Sequence, residues 1–384
     1  MMDEIYLDYA SSAPLWPEVL EEMMPYLTSA YGNPSSVHGT GRESRKAIER
    51  ARKQVASALE AEPREIYFTS GGAESDNWAI KGAALAMKNR GKHLITTRIE
   101  HPAVMNTVRA MEKQGWDVTW LPVNGEGRAD PQDVKRALRK ETTLISMMTA
   151  NNEIGVLQPV EETGAIAREA GVLFHTDAVQ AIGAIPVIPE RIQADLLSLS
   201  GHKFHGPKGT GVLYVRKNTP MTPLIDGGEQ ERRMRAGTEN VAGIVGLGKA
   251  IELATARMAE DSRRIRGLRD LLIRGILEQT PDSVLNGSRE ARLPNNASFS
   301  FRGIDGEALL LRLDLQGIAA SSGSACTSGS LEPSHVLEAI GQEPELIKGS
   351  LRMTLGAETT EEQIMTVVKT LPTIVAELRS MRTA

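Results

Sequence analysis

Over the first two thirds of the chain, short apolar runs alternate with stretches in which apolar positions recur every three or four residues. That alternation predicts βαβ units and a mainly parallel sheet. Strands are expected at 66–69, 94–97, 118–123, 144–149, 172–176, 196–199 and 211–215. The stretch 44–59 puts Ile48, Ala51, Val55 and Leu59 on one face with arginines and lysines opposite, which predicts an amphipathic surface helix. A second helix is expected at 75–89, after the first of these strands. Asp130-Pro131-Gln132-Asp133 carries a helix start, with a capping carboxylate, a proline in the first turn and a second acid facing the positive end of the dipole. Beyond about residue 240 the pattern changes to two long helical segments, 240–260 and 262–279, then shorter strands at 297–301 and 351–355 and a last helix from Thr360. The shift predicts an α/β protein in two parts: a large domain over 15–255, and a smaller α+β domain made of 1–14 with 256–384.

Composition narrows the class. The 384 residues are 41% hydrophobic and 24% charged, with 35 Gly and 19 Pro, the balance of an α/β enzyme and not of a disordered or fibrous chain. No apolar run reaches the roughly 18 residues of a membrane span. A net charge of −5 argues against binding nucleic acid by phosphate neutralisation. Met1-Met2-Asp3-Glu4 lacks a basic segment leading into an apolar one, so a cytoplasmic location is expected. The single cysteine, Cys326, excludes an intramolecular disulfide and a thiolate-rich metal site, and no metal is expected. It is either a small buried hydrophobe or a thiol with a chemical task, and its count alone leaves both open.

In open α/β sheets, ligands bind beyond the carboxyl ends of the strands. The residues at those positions are rich in chemistry. Ser70-Gly71-Gly72-Ala73-Glu74-Ser75 leads from strand to helix, where free N–H groups and the helix dipole suit a phosphate, although such a turn is often only a turn. Later strands end in Glu100-His101-Pro102, Asn151-Asn152-Glu153, Asp177-Ala178-Val179-Gln180 and Ser200-Gly201-His202-Lys203. Most lysines are solvated, but Lys203 follows an apolar strand and lies between glycines. An amine so placed forms Schiff bases with substrates or with pyridoxal phosphate. Pyridoxal phosphate also needs an acid at its pyridine nitrogen, and Asp177 ends the preceding strand. A phosphate turn, an acid and a lysine at successive strand ends are more specific together than any one of them.

At this point the chain resembles the NifS/IscS-like cysteine desulfurases, within the class-V aminotransferases of the fold-type-I pyridoxal-phosphate enzymes. The resemblance runs from Tyr6-Leu7-Asp8-Tyr9-Ala10 and Tyr31-Gly32-Asn33-Pro34-Ser35-Ser36 to Ser350-Leu351-Arg352-Met353. Its most diagnostic part is Ser321-Ser322-Gly323-Ser324-Ala325-Cys326-Thr327-Ser328, followed by Leu331-Glu332-Pro333-Ser334-His335. That run is similar to the long, mobile cysteine loop (about 321–332) of the first desulfurase group, with a helix anchoring it near Pro333.

The resemblance implies a role for each motif residue. Cys326 accepts sulfur as a persulfide, Lys203 is the Schiff-base lysine, and His101 stacks on the cofactor ring and handles a proton. Asp177 and Gln180 hold the pyridine nitrogen and the phenolic oxygen. Asn152 lies near the ring and the substrate carboxylate, which Arg352 and Asn33 grip. Ser200, His202 and the Gly72 and Ala73 amides bind phosphate, completed by Thr238 of a partner subunit in a homodimer. One position departs: the family often has threonine where Ala73 stands, so one phosphate hydrogen bond is expected to be missing. The implied reaction converts L-cysteine to L-alanine and passes sulfur to an acceptor protein, such as an iron–sulfur scaffold or a thiolation enzyme. A selenocysteine lyase or another fold-type-I aminotransferase-like enzyme could use the same lysine, acid and phosphate turn, and transamination has no need of the thiol. A carrier protein without catalysis would need none of these groups.

Overall fold

The structure, a computed structural model, describes residues 4–322 and 333–383. Cys326 and the run around it, 323–332, lie outside the described residues. The described strands are β1 (Ile5–Tyr6), β2 (Ile66–Thr69), β3 (His93–Thr97), β4 (Asp117–Leu121), β5 (Thr142–Ser146), β6 (Leu173–Asp177), β7 (Leu196–Ser200), β8 (Gly211–Val215), β9 (Ser283–Leu285), β10 (Asn296–Phe301), β11 (Ile318–Ala319) and β12 (Ser350–Thr354).

Seven of them make one sheet in the order β2-β8-β7-β6-β5-β3-β4. Only β8 runs antiparallel to its neighbours, so the sheet is mixed and mainly parallel, as the alternation of apolar runs predicts. Strands β3, β5, β7 and β8 are buried at every position, because both faces are covered. Successive side chains point to opposite faces. Ile95, Ile145, Leu197 and Val212 therefore join one core with Ile48, Val55 and Leu247. Their neighbours Leu94, Leu144, Leu196 and Leu213 join another with Trp78, Ile80 and Val108. After β4 the chain returns past β3 to form β5, so the strand order reverses between β3 and β5. Such a reversal opens a crevice at the carboxyl ends of the strands.

A smaller antiparallel sheet, β12-β10-β9, packs Phe299, Phe301, Leu351 and Met353 against Leu272, Ile276, Val367 and Leu371. The two cores share one long element. Where the sequence pattern suggests two helices, the structure has a single helix of 39 residues, Val241–Gln279. Its side chains up to Ala254 belong to the first core and those from Ile265 to the second. Glu260-Asp261-Ser262 reads as a break, but no Gly or Pro lies between 249 and 266 to enforce one. Ser262 Oγ instead donates to Ala184 O at 2.6 Å, tying the helix to the large sheet's side.

The N-terminal segment also crosses between the two parts. β1 pairs with β11, and the chain then runs past β12 to the end of β7, with Ala10 N donating to Thr354 Oγ1 at 2.8 Å and Ala13 N to His202 O at 2.9 Å. Among the described residues no helix is long and apolar enough to cross a membrane.

Candidate active site

The strand ends surround one cavity of about 530 Å³, within the range of small-ligand sites. Ten of the residues singled out from the sequence line it: Gly72, Ala73, His101, Asn152, Asp177, Gln180, Ser200, His202, Lys203 and Arg352.

The turn after β2 is shaped by glycine. Gly71 has φ +153°, and a Cβ on Gly72 would lie 2.8 Å from Val179 Cγ2. A Cβ on Gly211 would come within 2.7 Å of the Gly71 backbone. The turn therefore sits directly against β8 and the loop after β6, and starts the helix Gly72–Ala86 beside the cavity. The first N–H groups of a helix have no acceptor within it, which suits an anion. Glu74 lies in that first turn and would oppose an anion alone. Its carboxylate accepts from Arg235 through both oxygens at 2.8 and 3.0 Å, and from Ser70 N at 2.9 Å.

After β3, His101 caps the helix Pro102–Glu112, its Nδ1 accepting from Ala103 N at 3.1 Å. Burial, helped by the nearby Lys203 and His335, holds its pKa down at about 4. The ring is thus neutral at physiological pH, and with Nδ1 accepting, its proton sits on Nε2. Glu100, fully buried beside it, is pushed up to about 8 by burial and ties β3 to the loop after β5 by accepting from Thr97 Oγ1 at 2.6 Å and Met148 N at 3.1 Å. Asn151 holds that loop, its Oδ1 accepting from the N–H groups of Glu153 and Ile154 at 2.9 Å, and so presents Asn152 to the cavity.

Asp177, at the end of β6, accepts from Val179 N at 2.9 Å. Burial raises its pKa to about 6, against the opposing pull of Val179 N–H and Lys203. Such a carboxyl needs only a cation against it to be wholly ionised. Past β7, Lys203 Nζ donates to Ala10 O at 2.5 Å and Ser11 O at 2.9 Å. Gln180 Nε2 donates to the same Ala10 O at 2.9 Å, and His202 Nδ1 lies 3.3 Å from Ser12 Oγ. His202 is held down at about 4, first by burial and then by Lys203 and Lys208, so it is neutral too.

Arg352 reaches the cavity from β12. It is only 2% exposed, with Nη2 donating to Asp8 Oδ1 at 2.9 Å and Ser11 Oγ at 2.8 Å, and Nη1 to Asn152 O at 3.0 Å. Its Nε is buried without a hydrogen-bond partner among the described residues, as is Asp76 Oδ1, another cavity atom.

Two sequence candidates stand elsewhere. Asn33 is on an exposed loop with its Oδ1 accepting from Ser35 N at 2.9 Å, and Thr238 is exposed; neither lines the cavity of this chain. Arg352 lines the cavity, whereas the Asn33 side chain turns back to accept from its own backbone at Ser35 N. Three cavity or near-cavity residues gave no such signal: Asp8, Ser11 and Asp76; Lys208, in the polar run that follows the strand ending at Ser200, also lines the cavity. Among the described residues no group of three or more His, Cys, Asp or Glu could hold a metal ion.

The donor set fits pyridoxal phosphate. It offers a helix N-terminus flanked by glycines for a phosphate, a buried acid for a ring nitrogen, a neutral imidazole, and a lysine amine in the same cavity. A family model for aminotransferase class-V matches residues 5–367. Two curated relatives named cysteine desulfurase IscS are 54% identical to the chain: that of Dictyoglomus turgidum over 381 residues, 99% of this chain and 97% of its own length, and that of Methanosarcina thermophila over 377, or 98% and 93%. Among solved structures, a NifS-like protein matches with TM-score 0.92 at 38% identity, covering 98% of this chain and 100% of its own. A structure of SspA in complex with cysteine matches with TM-score 0.83 at 37% identity, covering 93% of this chain and 100% of its own.

Proposed function

The chain belongs to the class-V aminotransferase family, and on that premise we propose that it is a pyridoxal-phosphate-dependent cysteine desulfurase, converting L-cysteine to L-alanine and passing the sulfur on through Cys326. The observation that carries this reading is the meeting of Lys203, Asp177 and the glycine phosphate turn in one cavity, in a chain about half identical over nearly all its length to curated cysteine desulfurases.

When bound, pyridoxal phosphate supplies a carbonyl that takes up an amine and a protonated pyridine ring that draws electrons from the substrate's α-carbon. The chain's own residues have distinct tasks. The Gly72 and Ala73 amides, Ser200 and His202 would hold the phosphate. Asp177 would hold a proton at the ring nitrogen, and burial would strengthen that contact by excluding water. Gln180, whose Nε2 donates to Ala10 O in this structure, would bond the phenolic oxygen. His101 would face the ring and offer its Nε2 proton. Arg352 orients the substrate through its carboxylate, with Asp8, Ser11 and Asn152 O fixing the plane of the guanidinium. Lys203 Nζ removes the α-proton once it is released from its carbonyl partners. Cys326, as thiolate, bonds to the substrate sulfur while the Cβ–S bond breaks. The electron pair stays with carbon, which gains a proton on the way to alanine, and the enzyme is left with a persulfide.

Thr238, exposed on one chain, is proposed to complete the phosphate site of a second copy in a homodimer. The persulfide is proposed to go to an acceptor protein, an iron–sulfur scaffold or a thiolation enzyme. Purified protein is expected to be yellow, to lose that band on borohydride reduction, and to release alanine and sulfide from L-cysteine with a reductant. A colourless protein that cannot be reconstituted with pyridoxal phosphate overturns the reading.

The Arg352 assignment has its own test. Arg352→Lys keeps the charge but loses the two-pronged fork, so KM for L-cysteine should rise about tenfold or more with a smaller change in kcat. Steady-state kinetics separate the two parameters. An unchanged KM with a reduced kcat removes Arg352 from the carboxylate site.

A further inference from the structure

We propose that Lys208 is the cation that neutralises the cofactor's phosphate. The inference rests on the cofactor reading above and adds to it a residue that the phosphate site otherwise lacks.

A phosphate monoester carries a charge near −1.5 to −2 at neutral pH, and a turn of backbone amides supplies only a partial positive charge. The charges at this end of the cavity can be accounted for one by one. Glu74 and Arg235 neutralise each other through two hydrogen bonds, at 2.8 and 3.0 Å. His202 is a neutral donor, held at about 4. Ala73 offers no hydroxyl. Among the described residues lining the cavity, the cationic side chains are Lys203, Lys208 and Arg352. Lys203 is committed to the cofactor's carbonyl. Arg352 is held by Asp8 at 2.9 Å, on the side of the cavity formed by β12 and the N-terminal segment. Lys208 remains.

Its position suits the task. Lys208 and Gly209 form the tip between β7 and β8, and both line the cavity with Gly71, Gly72 and Ala73. The tip is fixed: Gly209 has φ +74°, Thr210 Oγ1 donates to Pro207 O at 2.8 Å, and Gly211 packs so closely on the Gly71 backbone that a Cβ would come within 2.7 Å. The lysine thus stands on a hairpin held against the phosphate turn. Its charge already bears on His202, lowering that ring's pKa after burial and Lys203. An exposed lysine acts as a compact point charge on a flexible stem, which can serve a phosphate without fixed bidentate geometry.

The experiment titrates resolved apoprotein with pyridoxal phosphate and, separately, with pyridoxal, following the yellow band. Pyridoxal has the same carbonyl and ring but no phosphate. Lys208→Gln should weaken pyridoxal phosphate binding about tenfold at low salt, as expected for one charge-assisted contact, and leave pyridoxal binding unchanged. Lys208→Arg should retain most of the affinity. Added salt should narrow the gap between wild type and Lys208→Gln. Equal losses for both ligands would assign Lys208 a structural role and overturn the proposal, as would no loss for either. Wild-type apoprotein that takes up neither ligand would instead overturn the cofactor reading itself.

Discussion

Lys203→Ala should release no measurable alanine from L-cysteine, a loss of about 10⁴-fold or more, because one amine performs two tasks in this site. On the proposed mechanism it attaches the cofactor and moves the substrate's α-proton. The loss can be separated from unfolding. Lys203 Nζ donates to Ala10 O and Ser11 O, and removing a partner from two part-buried carbonyls costs about 1–3 kcal/mol if water does not replace it. That cost lowers the melting temperature by some degrees but leaves a folded chain. The Gly71–Gly72 turn and Asp177 remain, so the variant should still bind pyridoxal phosphate reversibly, and borohydride should fix none of it to the protein. Addition of a small primary amine should restore a little turnover, since it can replace the amine but not its placement. If Lys203→Ala keeps parental activity, or if borohydride still fixes the cofactor, another lysine holds it; Lys208 is the other lysine lining the cavity among the described residues.

The parts of this site that were legible in the sequence are those encoded within a few residues. A glycine pair before a helix, an acid closing one strand and a lysine closing the next can be read locally, and the sheet brings them together because parallel strands end on one edge. Limits appear where distant segments meet. Asp8 and Arg352 are 344 positions apart and pair at 2.9 Å, and no periodicity links them. Asp76 reads as an ordinary polar residue inside a helix, yet is 1% exposed and faces the cavity. The end of β5 is hidden from the sequence for a related reason. The apolar run 144–149 suggests a strand reaching Thr149, but β5 stops at Ser146. Met147 and Met148 continue the run because the loop itself is buried, its N–H groups satisfied by His175 O and the Glu100 carboxylate. Hydrophobicity reports burial, and here burial outlasts the strand. Thr238 and Asn33 were identified through resemblance alone, and within a single chain both remain on the surface.

Cys326→Ala should abolish sulfur transfer, and the sequence makes this test unusually clean. The chain has one cysteine, so the substitution removes every thiol on which a persulfide could form. With ³⁵S-labelled L-cysteine and no reductant, the wild-type chain should retain up to one labelled sulfur and the variant none. Breaking the Cβ–S bond requires a nucleophile to accept the sulfur while carbon keeps the electron pair. No group described in the cavity can do so: the amine of Lys203 is engaged with the α-proton, and the hydroxyls of Ser11, Ser12, Ser70 and Ser200 are poor sulfur acceptors. Alanine formation should therefore fall by on the order of 10³ or more along with the label. The preceding steps need only Lys203, Asp177 and Arg352, so the variant should remain yellow and still change its spectrum when L-cysteine is added. That spectral response separates a lost acceptor from a collapsed site. High concentrations of a small dithiol should restore some alanine release by taking the sulfur directly, without labelling the protein. Parental rates of alanine release without added thiol would mean that sulfur leaves by another route, and Cys326 would lose its assignment even though the cofactor site stood intact.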